Sequence, residues 1–328
     1  MTGLQKDLSG RISLWVVICF TVIASFVATF FYDIANGSYY AEIIIYGLLS
    51  LGCVLLSNRS GVNYFQRSLV TKKVRPVNIA YVVAIGVGLL YFGSFFANTV
   101  YYGLEYLGYT SALPEITIDT VDLLILNLVF SCALPAFCEE FSVRGGVFAS
   151  LNKSTSLLKA VILSALFFAV LHGSVAQFVH QFIVGVVCAV LFAVGKSLWY
   201  PVILHAVNKG IAVVLTYIQS LNLVEVENVT AVEFFTLDVL IPQLVMAVIG
   251  AVVAYFAFRA FLRREEREIS EEYADSVINA PIYKRILAFD EKEKEITPLN
   301  ITERILFFVA MGICVVIIGL DLIGGFLL

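Results

Sequence analysis

Charged residues are scarce in this sequence. They make up 14% of its 328 residues, against 60% hydrophobic residues, and the formal net charge is −4. A soluble domain carries about 25% charged residues. The composition therefore excludes an ordinary soluble domain, and it lacks the basic surplus of a nucleic-acid-binding domain, so no nucleic-acid partner is expected. The mean hydropathy of +0.92 predicts a protein that crosses the lipid bilayer several times.

The sequence also lacks closely spaced pairs of cysteines. The six cysteines lie in apolar stretches and none belongs to a C-x-x-C pair, which is typical of small hydrophobic residues and indicates no disulfide framework. Cys138 directly precedes Glu139, which leaves a Cys–His protease as an alternative. Adjacent residues of a helix point about 100° apart, however, and this disfavours a nucleophilic Cys138 beside Glu139.

Long apolar runs are what the sequence has in abundance. A span needs about 20 mostly apolar residues, so the runs predict an all-α fold, a polytopic membrane bundle of about nine transmembrane helices. The helix that carries Glu139 is expected to continue past its span toward residue 150. The predicted spans are 12–32, 41–56, 78–103, 121–138, 157–174, 177–195, 198–219, 238–262 and 305–327.

Basic residues are confined to alternate loops. With the N-terminus in the cytoplasm, 20 of the 21 lysines and arginines fall in cytoplasmic segments. Because an excess of Lys and Arg marks cytoplasmic loops, the pattern predicts the N-terminus inside and the C-terminus outside. The exception is Lys209, which lies within a predicted span.

Three regions follow from this organisation. Residues 1–120 and 221–328 form N-terminal and C-terminal groups of transmembrane helices, and 121–220 holds the polar motifs described below. The long charged segment 263–303 is predicted to be a solvated cytoplasmic linker with some helix, and a docking arm for a partner is the alternative.

Histidine is rare too, yet two of the three histidines lie in polar motifs within one short stretch. The motifs are Glu139-Glu140-x-x-x-Arg144, Phe168-x-x-x-His172 and His205-x-x-Asn208. Ionisable groups are costly inside hydrocarbon and mark functional sites by default. Two imidazoles and two adjacent carboxylates predict hydrolysis by an activated water within the membrane.

Each motif also has a plain structural interpretation. Glu140 and Arg144 are i,i+4 neighbours and could be a simple ion pair, with Glu139 facing water. His172 could be a satisfied core residue, and His205 with Asn208 could be polar contacts between helices. Three such motifs in neighbouring spans are hard to explain as packing alone.

A metal site is a rival use of the same residues. Glu139, His172 and His205 would form a two-histidine, one-carboxylate set, as in catalytic zinc sites. The usual H-E-x-x-H signature is absent. The sequence therefore leaves two possibilities open, a Zn²⁺-held water and a metal-free water held by Glu139 and His172.

The order of the three motifs resembles the CPBP intramembrane proteases, the family of CAAX prenyl endopeptidases and Abi bacteriocin-processing proteins. The stretch from Gly185 through 197–201 to His205 is also similar to the family's approach to its last motif. The resemblance covers 121–220. It implies a membrane-embedded endopeptidase acting near the cytoplasmic face on a membrane-delivered peptide or protein, and an integral protein of a bacterial plasma membrane.

The same resemblance implies roles for individual residues. Glu139 corresponds to the water-activating base, and Glu140 and Arg144 to its supporting pair. His172 matches the histidine that helps to hold the water, and His205 the one that stabilises the oxyanion.

The family usually places Asn or Asp four residues after the last histidine. Here that position is Lys209, and Asn208 stands one residue earlier. Asn208 could supply the second oxyanion donor after a small helix rotation. Lys209 could snorkel to the membrane surface, pair with Glu139 or Glu140, or serve the oxyanion or a substrate carboxylate directly.

Two other functions remain as alternatives. A catalytically silent family member would act by binding, for example in bacteriocin self-immunity or as a membrane scaffold. A transporter would explain the buried charges but not the motif order. The depth of His172 is the least consistent feature of a shared site, because a span beginning at 157 places it near the membrane midplane, whereas Glu139 and His205 lie in the cytoplasmic half.

Overall fold

The regular structure is helical throughout the part of the chain that the computed structural model describes. These residues are 74–110, 118–221, 229–266, 281–287 and 298–327. The helices in chain order are α1 Pro76–Tyr106, α2 Val121–Ser154, α3 Leu157–Leu171, α4 Val175–Gly195, α5 Trp199–Ser220, α6 Ala231–Phe234, α7 Leu237–Glu266, α8 Ile282–Leu287 and α9 Ile301–Leu327.

Six of the described helices, α1, α2, α4, α5, α7 and α9, are long and apolar enough to cross a membrane. The predicted all-α membrane bundle is confirmed, and most predicted spans from residue 78 onward agree with these helices to within a few residues. The predicted spans 12–32 and 41–56 lie outside the described residues. The total of nine spans and the orientation stay predictions.

Helix α2 continues past its predicted span of 121–138, which confirms the expected extension toward residue 150. It runs to Ser154 and contains two π-helical stretches, Asn127–Ala133 and Val143–Phe148. Pro135 lacks the N–H that a regular helix needs, which gives a physical reason for the altered bonding beside it. Short π-helical stretches frequently occur at functional sites, and the regular segment between these two carries Glu139 and Glu140.

Helix α3 begins at Leu157 as predicted and ends at Leu171, and the continuation of α2 to Ser154 brings His172 to the level of Glu139. It has 15 residues and begins three positions after α2 ends, so the two helices run back along each other. Glu139 precedes the end of α2 by as many residues as His172 follows the start of α3. The predicted difference in depth between His172 and Glu139 arose because the membrane boundary was placed at residue 138, whereas α2 continues beyond that residue.

Helices α1 and α7 cross at glycines. A Cβ atom on Gly88 would collide with the carbonyl oxygen of Gly250 and would come within 2.9 Å of the Ala254 backbone nitrogen. Small residues at such crossings allow two backbones to approach closely, which is how helices gain contact in lipid. The crossing fixes α7 against the helix that also packs on α4 and α5.

The described part of the charged segment 263–303 is packed against the bundle, which differs from the solvated linker predicted there, and 267–280 and 288–297 lie outside the described residues. Arg285 of α8 is 1% exposed and donates two hydrogen bonds to Glu266, at 2.7 and 2.5 Å. Glu265 is also buried and accepts a hydrogen bond from Asn78 of α1. Hydrophilic composition indicated solvent exposure, but paired charges can be buried when each finds its partner.

Candidate functional site

Glu140 and Arg144 form the buried base of the site. Both side chains have no exposed surface, and Arg144 donates to Glu140 through Nε at 2.7 Å and through Nη2 at 3.3 Å. The predicted i,i+4 pair is therefore present. A charge-assisted pair with two hydrogen bonds has a defined orientation, so Glu140 holds a fixed position on the inner face of α2.

The Phe168 ring contacts Arg144 and the two histidines beside this pair. Its ring lies 4.9 Å below the guanidinium of Arg144, 4.7 Å from the His172 ring and 5.5 Å from the His205 ring, measured to the ring centroid. Both imidazoles meet it edge to face. Such contacts contribute a modest energy but restrict ring orientation, so Phe168 sets the angle of both histidines.

His172 ends α3 at a sharp turn. The next residue, Gly173, has φ 67°, the left-handed conformation that favours glycine after a helix. The His172 Nδ1 lies 2.8 Å from the Phe168 carbonyl oxygen. Because a carbonyl only accepts, Nδ1 carries the proton in this arrangement. The lone pair is then on Nε2, which lies 3.7 Å from Oε2 of Glu139.

His205 of α5 lies between the two carboxylates. It is 1% exposed, and its Nδ1 is 3.3 Å from Oε1 of Glu140. Its Nε2 is 3.8 Å from Oε2 of Glu139. Three helices thus bring Oε2 of Glu139 and the Nε2 atoms of His172 and His205 around one small space.

That space could hold a metal ion or a water molecule. Ligand atoms of Glu139, His172 and His205 lie within 4.8 Å of one another, and the set is right in kind for zinc. Ligands of a tetrahedral zinc, at bonds of about 2.1 Å, lie about 3.4 Å apart, whereas acceptors around one water lie roughly 4.5 Å apart. The observed 3.7 and 3.8 Å fall between these values.

Lys209 and Asn208 face different parts of the bundle. The Lys209 ammonium lies 3.3 Å from Oε1 of Glu139. Asn208 instead donates from Nδ2 to the Gly86 carbonyl oxygen of α1, at 3.3 Å. Of these two predicted site residues, the structure places the lysine beside the Glu139 carboxylate and the amide in the contact between α5 and α1.

His180 is a further polar residue near the site that the motifs did not indicate. It lies on α4, which packs against α5, and is 8% exposed. Its ring packs so closely on Gly93 of α1 that a Cβ atom there would collide with it. The available signal was simply that it is the third histidine of a histidine-poor chain, eight positions after His172.

The described cysteines, Cys132, Cys138, Cys188 and Cys314, are buried and form no disulfide, as predicted. Cys19 and Cys53 lie outside the described residues.

Comparison with known proteins gives a family match to this part of the chain and a match to one relative. Residues 121–211 match the sequence model of the Rce1-like family, described as type II CAAX prenyl endopeptidase Rce1-like. The chain is also 22% identical, over 141 residues, to the "Putative membrane peptidase YdiL" of Bacillus subtilis (strain 168). The similarity covers 40% of this chain and 58% of that protein, so the chain spans little more than half the length of the relative. No solved structure matches the chain.

These matches confirm the family resemblance for the helices that carry the site. All seven predicted site residues, from Glu139 to Lys209, lie within 121–211. The family is one of membrane proteases, and the apolar helices make this an integral membrane protein.

Proposed function

We propose that this protein is an intramembrane endopeptidase that hydrolyses a peptide bond with an activated water. The observation that carries the proposal is the meeting of one carboxylate oxygen and two imidazole nitrogens, from Glu139, His172 and His205, at the buried junction of α2, α3 and α5. The match of 121–211 to the Rce1-like family supports the same class of reaction.

Glu139 and His172 act on the water. Glu139 accepts one proton from it, while the lone pair on His172 Nε2 accepts a hydrogen bond from its other hydrogen. The water oxygen then bonds to the carbonyl carbon of the substrate, and the carbonyl oxygen becomes an oxyanion. The proton on Glu139 passes to the leaving nitrogen as the C–N bond breaks. The bond between His172 Nδ1 and the Phe168 carbonyl keeps the imidazole in the required tautomer.

His205 stabilises the oxyanion. Oε1 of Glu140 accepts only from a protonated Nδ1, so donation from Nε2 to an oxyanion requires the imidazolium form of His205. The fully buried Glu140 carboxylate lies 3.3 Å from Nδ1, within reach of a hydrogen bond from that nitrogen. In this role Glu140 and Arg144 orient the oxyanion donor and do not touch the substrate.

The water is held without a metal ion in this proposal. Lys209 places a positive charge 3.3 Å from Glu139, and a fixed ammonium opposes the binding of a dication to the same carboxylate. If zinc were bound by Glu139, His172 and His205, it would lower the pKa of its water and replace this function of the base.

A chelation experiment separates these two versions. We expect the purified protein to keep its cleavage rate after treatment with a strong zinc chelator, because its own residues suffice to activate the water. Activity that is lost on chelation and restored by one equivalent of Zn²⁺ per chain would contradict the metal-free mechanism.

The substrate is a peptide or protein delivered by the bilayer, cut near the cytoplasmic face of a bacterial plasma membrane. The buried position of the site supports delivery through the bilayer. The silent binding protein is the second candidate, and one observation favours it: Lys209 stands where the family usually has Asn or Asp.

Substitution of Glu139 tests the proposal. Purified protein in proteoliposomes is mixed with fluorescence-quenched peptides that carry either a prenyl group or a transmembrane anchor. Glu139→Gln is expected to lower kcat by about 10²–10⁴-fold, the usual contribution of a general base, while the melting temperature stays near that of the wild type. Glu105→Gln, on α1 outside the site, is the matched control. Equal cleavage by wild type and Glu139→Gln would refute the assignment of the base.

A further inference from the structure

Lys209 contacts Glu139, the carboxylate proposed to act as the base. Its Nζ lies 3.3 Å from Oε1 of Glu139, and the exposed fractions of the two side chains are 25% and 5%. Oε2, the other oxygen of the same carboxylate, faces His172 and His205. The two oxygens of Glu139 are therefore divided between an ammonium on one side and two imidazoles on the other.

Helix geometry explains why the lysine reaches the site and Asn208 does not. Residues four apart lie on the same helical face, so Lys209 shares the face of His205 that is turned toward α2. Asn208 precedes it by one residue and points about 100° away. Its carboxamide donates a hydrogen bond to the Gly86 carbonyl of α1.

The surrounding charges leave this contact to Lys209. On α2, Arg144 is bound to Glu140. On α3, Nε2 of His172 lies 3.7 Å from Oε2 of Glu139. Glu140 with Arg144 and Glu139 with Lys209 thus form two carboxylate–cation pairs, and His205, proposed to act as an imidazolium, lies between the two carboxylates.

We infer that Lys209 is a positioning residue, which holds Oε1 of Glu139 so that Oε2 is presented to the water between the two histidines. The terminal torsion of a glutamate side chain has a broad, roughly two-fold energy profile, so an untethered carboxylate would rotate away from the reactive orientation. The ammonium also balances the negative charge of a carboxylate that is almost fully buried. This inference rests on the proposed function, because it assigns to Lys209 the alignment of the proposed base.

Kinetics of three lysine variants test the positioning role. Lys209→Met removes the donor and is expected to lower kcat at least about 10-fold with KM nearly unchanged, since misplacement of a catalytic group acts on the chemical step. Lys209→Arg keeps a donor at a similar reach and should recover most of kcat. Lys159→Met, the same change at an exposed lysine of α3, is the matched control. A wild-type kcat in Lys209→Met, or equal losses in Lys209→Arg and Lys209→Met, would overturn the inference.

Thermal unfolding in detergent tests the same contact without any need for activity. Lys209→Met leaves the Glu139 carboxylate buried without this cation, so it should lower the melting temperature. In a Glu139→Gln background the charge is gone, and Lys209→Met should then have little effect. If Lys209→Met lowers the melting temperature equally in both backgrounds, the two side chains are not coupled and the inference fails, whether or not the protein cleaves peptides. Coupling in unfolding together with an absence of cleavage would instead refute the proposed function while retaining the pair.

Discussion

At the scale of single residues, the two adjacent glutamates of α2 pair with cations that differ in their exposure to solvent. Glu140 is paired with a guanidinium that is itself 0% exposed, whereas Glu139 contacts an ammonium that is a quarter exposed. Loss of one member of a fully buried pair leaves an uncompensated charge, and loss of a partly exposed contact can be relieved by water. Neighbouring positions in one motif should therefore respond differently to the same substitution.

The first residue-scale prediction concerns Glu140. Glu140→Gln leaves the buried Arg144 charge without its carboxylate, and breaking a buried pair in this way costs about 3–5 kcal/mol. We expect a clearly lowered melting temperature in detergent, while Glu139→Gln, which is the matched control one position away, melts near the wild type. Similar melting temperatures for the two variants would show that the Glu140–Arg144 pair does not stabilise the fold.

The sequence predicted contacts within one helix better than contacts between helices. The i,i+4 spacing was sufficient for the Glu140–Arg144 contact, because both residues lie on one helix and helix geometry is regular. The choice between Asn208 and Lys209 as the neighbour of Glu139 was left open, since it depends on how α5 is rotated against α1 and α2. His180 was missed for the same reason, because only tertiary packing brings α4 against Asn208.

At the scale of the helices, the lengths of α2 and α3 determine whether Glu139 and His172 lie at the same level. Hydropathy predicted the positions of both helices. It measures the free energy of transferring residues to lipid, however, and does not show where a helix ends. Helix α2 therefore extends beyond its apolar run, and the turn at Thr155 and Ser156 sends α3 back toward Glu139. The π-helical stretches of α2 were not predicted, since the sequence signal for them is weak and a single proline or glycine pair also occurs in regular helices.

The element-scale prediction concerns the crossing of α1 and α7. Gly88→Ala places a methyl group against the Gly250 carbonyl oxygen and the Ala254 backbone nitrogen, and such overpacking costs about 1–3 kcal/mol. We expect a lower melting temperature in detergent. Gly312→Ala on α9 is the control, because an added Cβ there meets none of the described atoms within 4 Å, and alanine favours a helix over glycine by up to about 1 kcal/mol. Equal effects of both changes would mean that close packing does not limit the crossing.

At the scale of the whole molecule, composition and hydropathy were enough for the class and for most of the helix ranges. They were not enough to predict the packing of the charged segment that begins at the end of α7, where Glu266 and Arg285 of α8 are buried together. A charged sequence indicates exposure to solvent unless the partner of each charge is known. Here the partner of Arg285 lies 19 positions away in the chain. Pairing of this kind is set by the folded bundle and cannot be read from local composition.

The molecule-scale prediction concerns orientation, which decides from which side the substrate reaches the site. The distribution of Lys and Arg predicts that the turn at Lys196, between α4 and α5, is cytoplasmic and that α6, with the exposed Val232, is outside. Single cysteines are introduced by Lys196→Cys and Val232→Cys, and intact cells are treated with a membrane-impermeant maleimide. We expect labelling of Val232→Cys in intact cells and of Lys196→Cys only after permeabilisation, with the unsubstituted protein measuring the background from native cysteines. The reverse pattern would place the Glu139 end of α2 toward the outer face, and the substrate would then have to be an exported peptide.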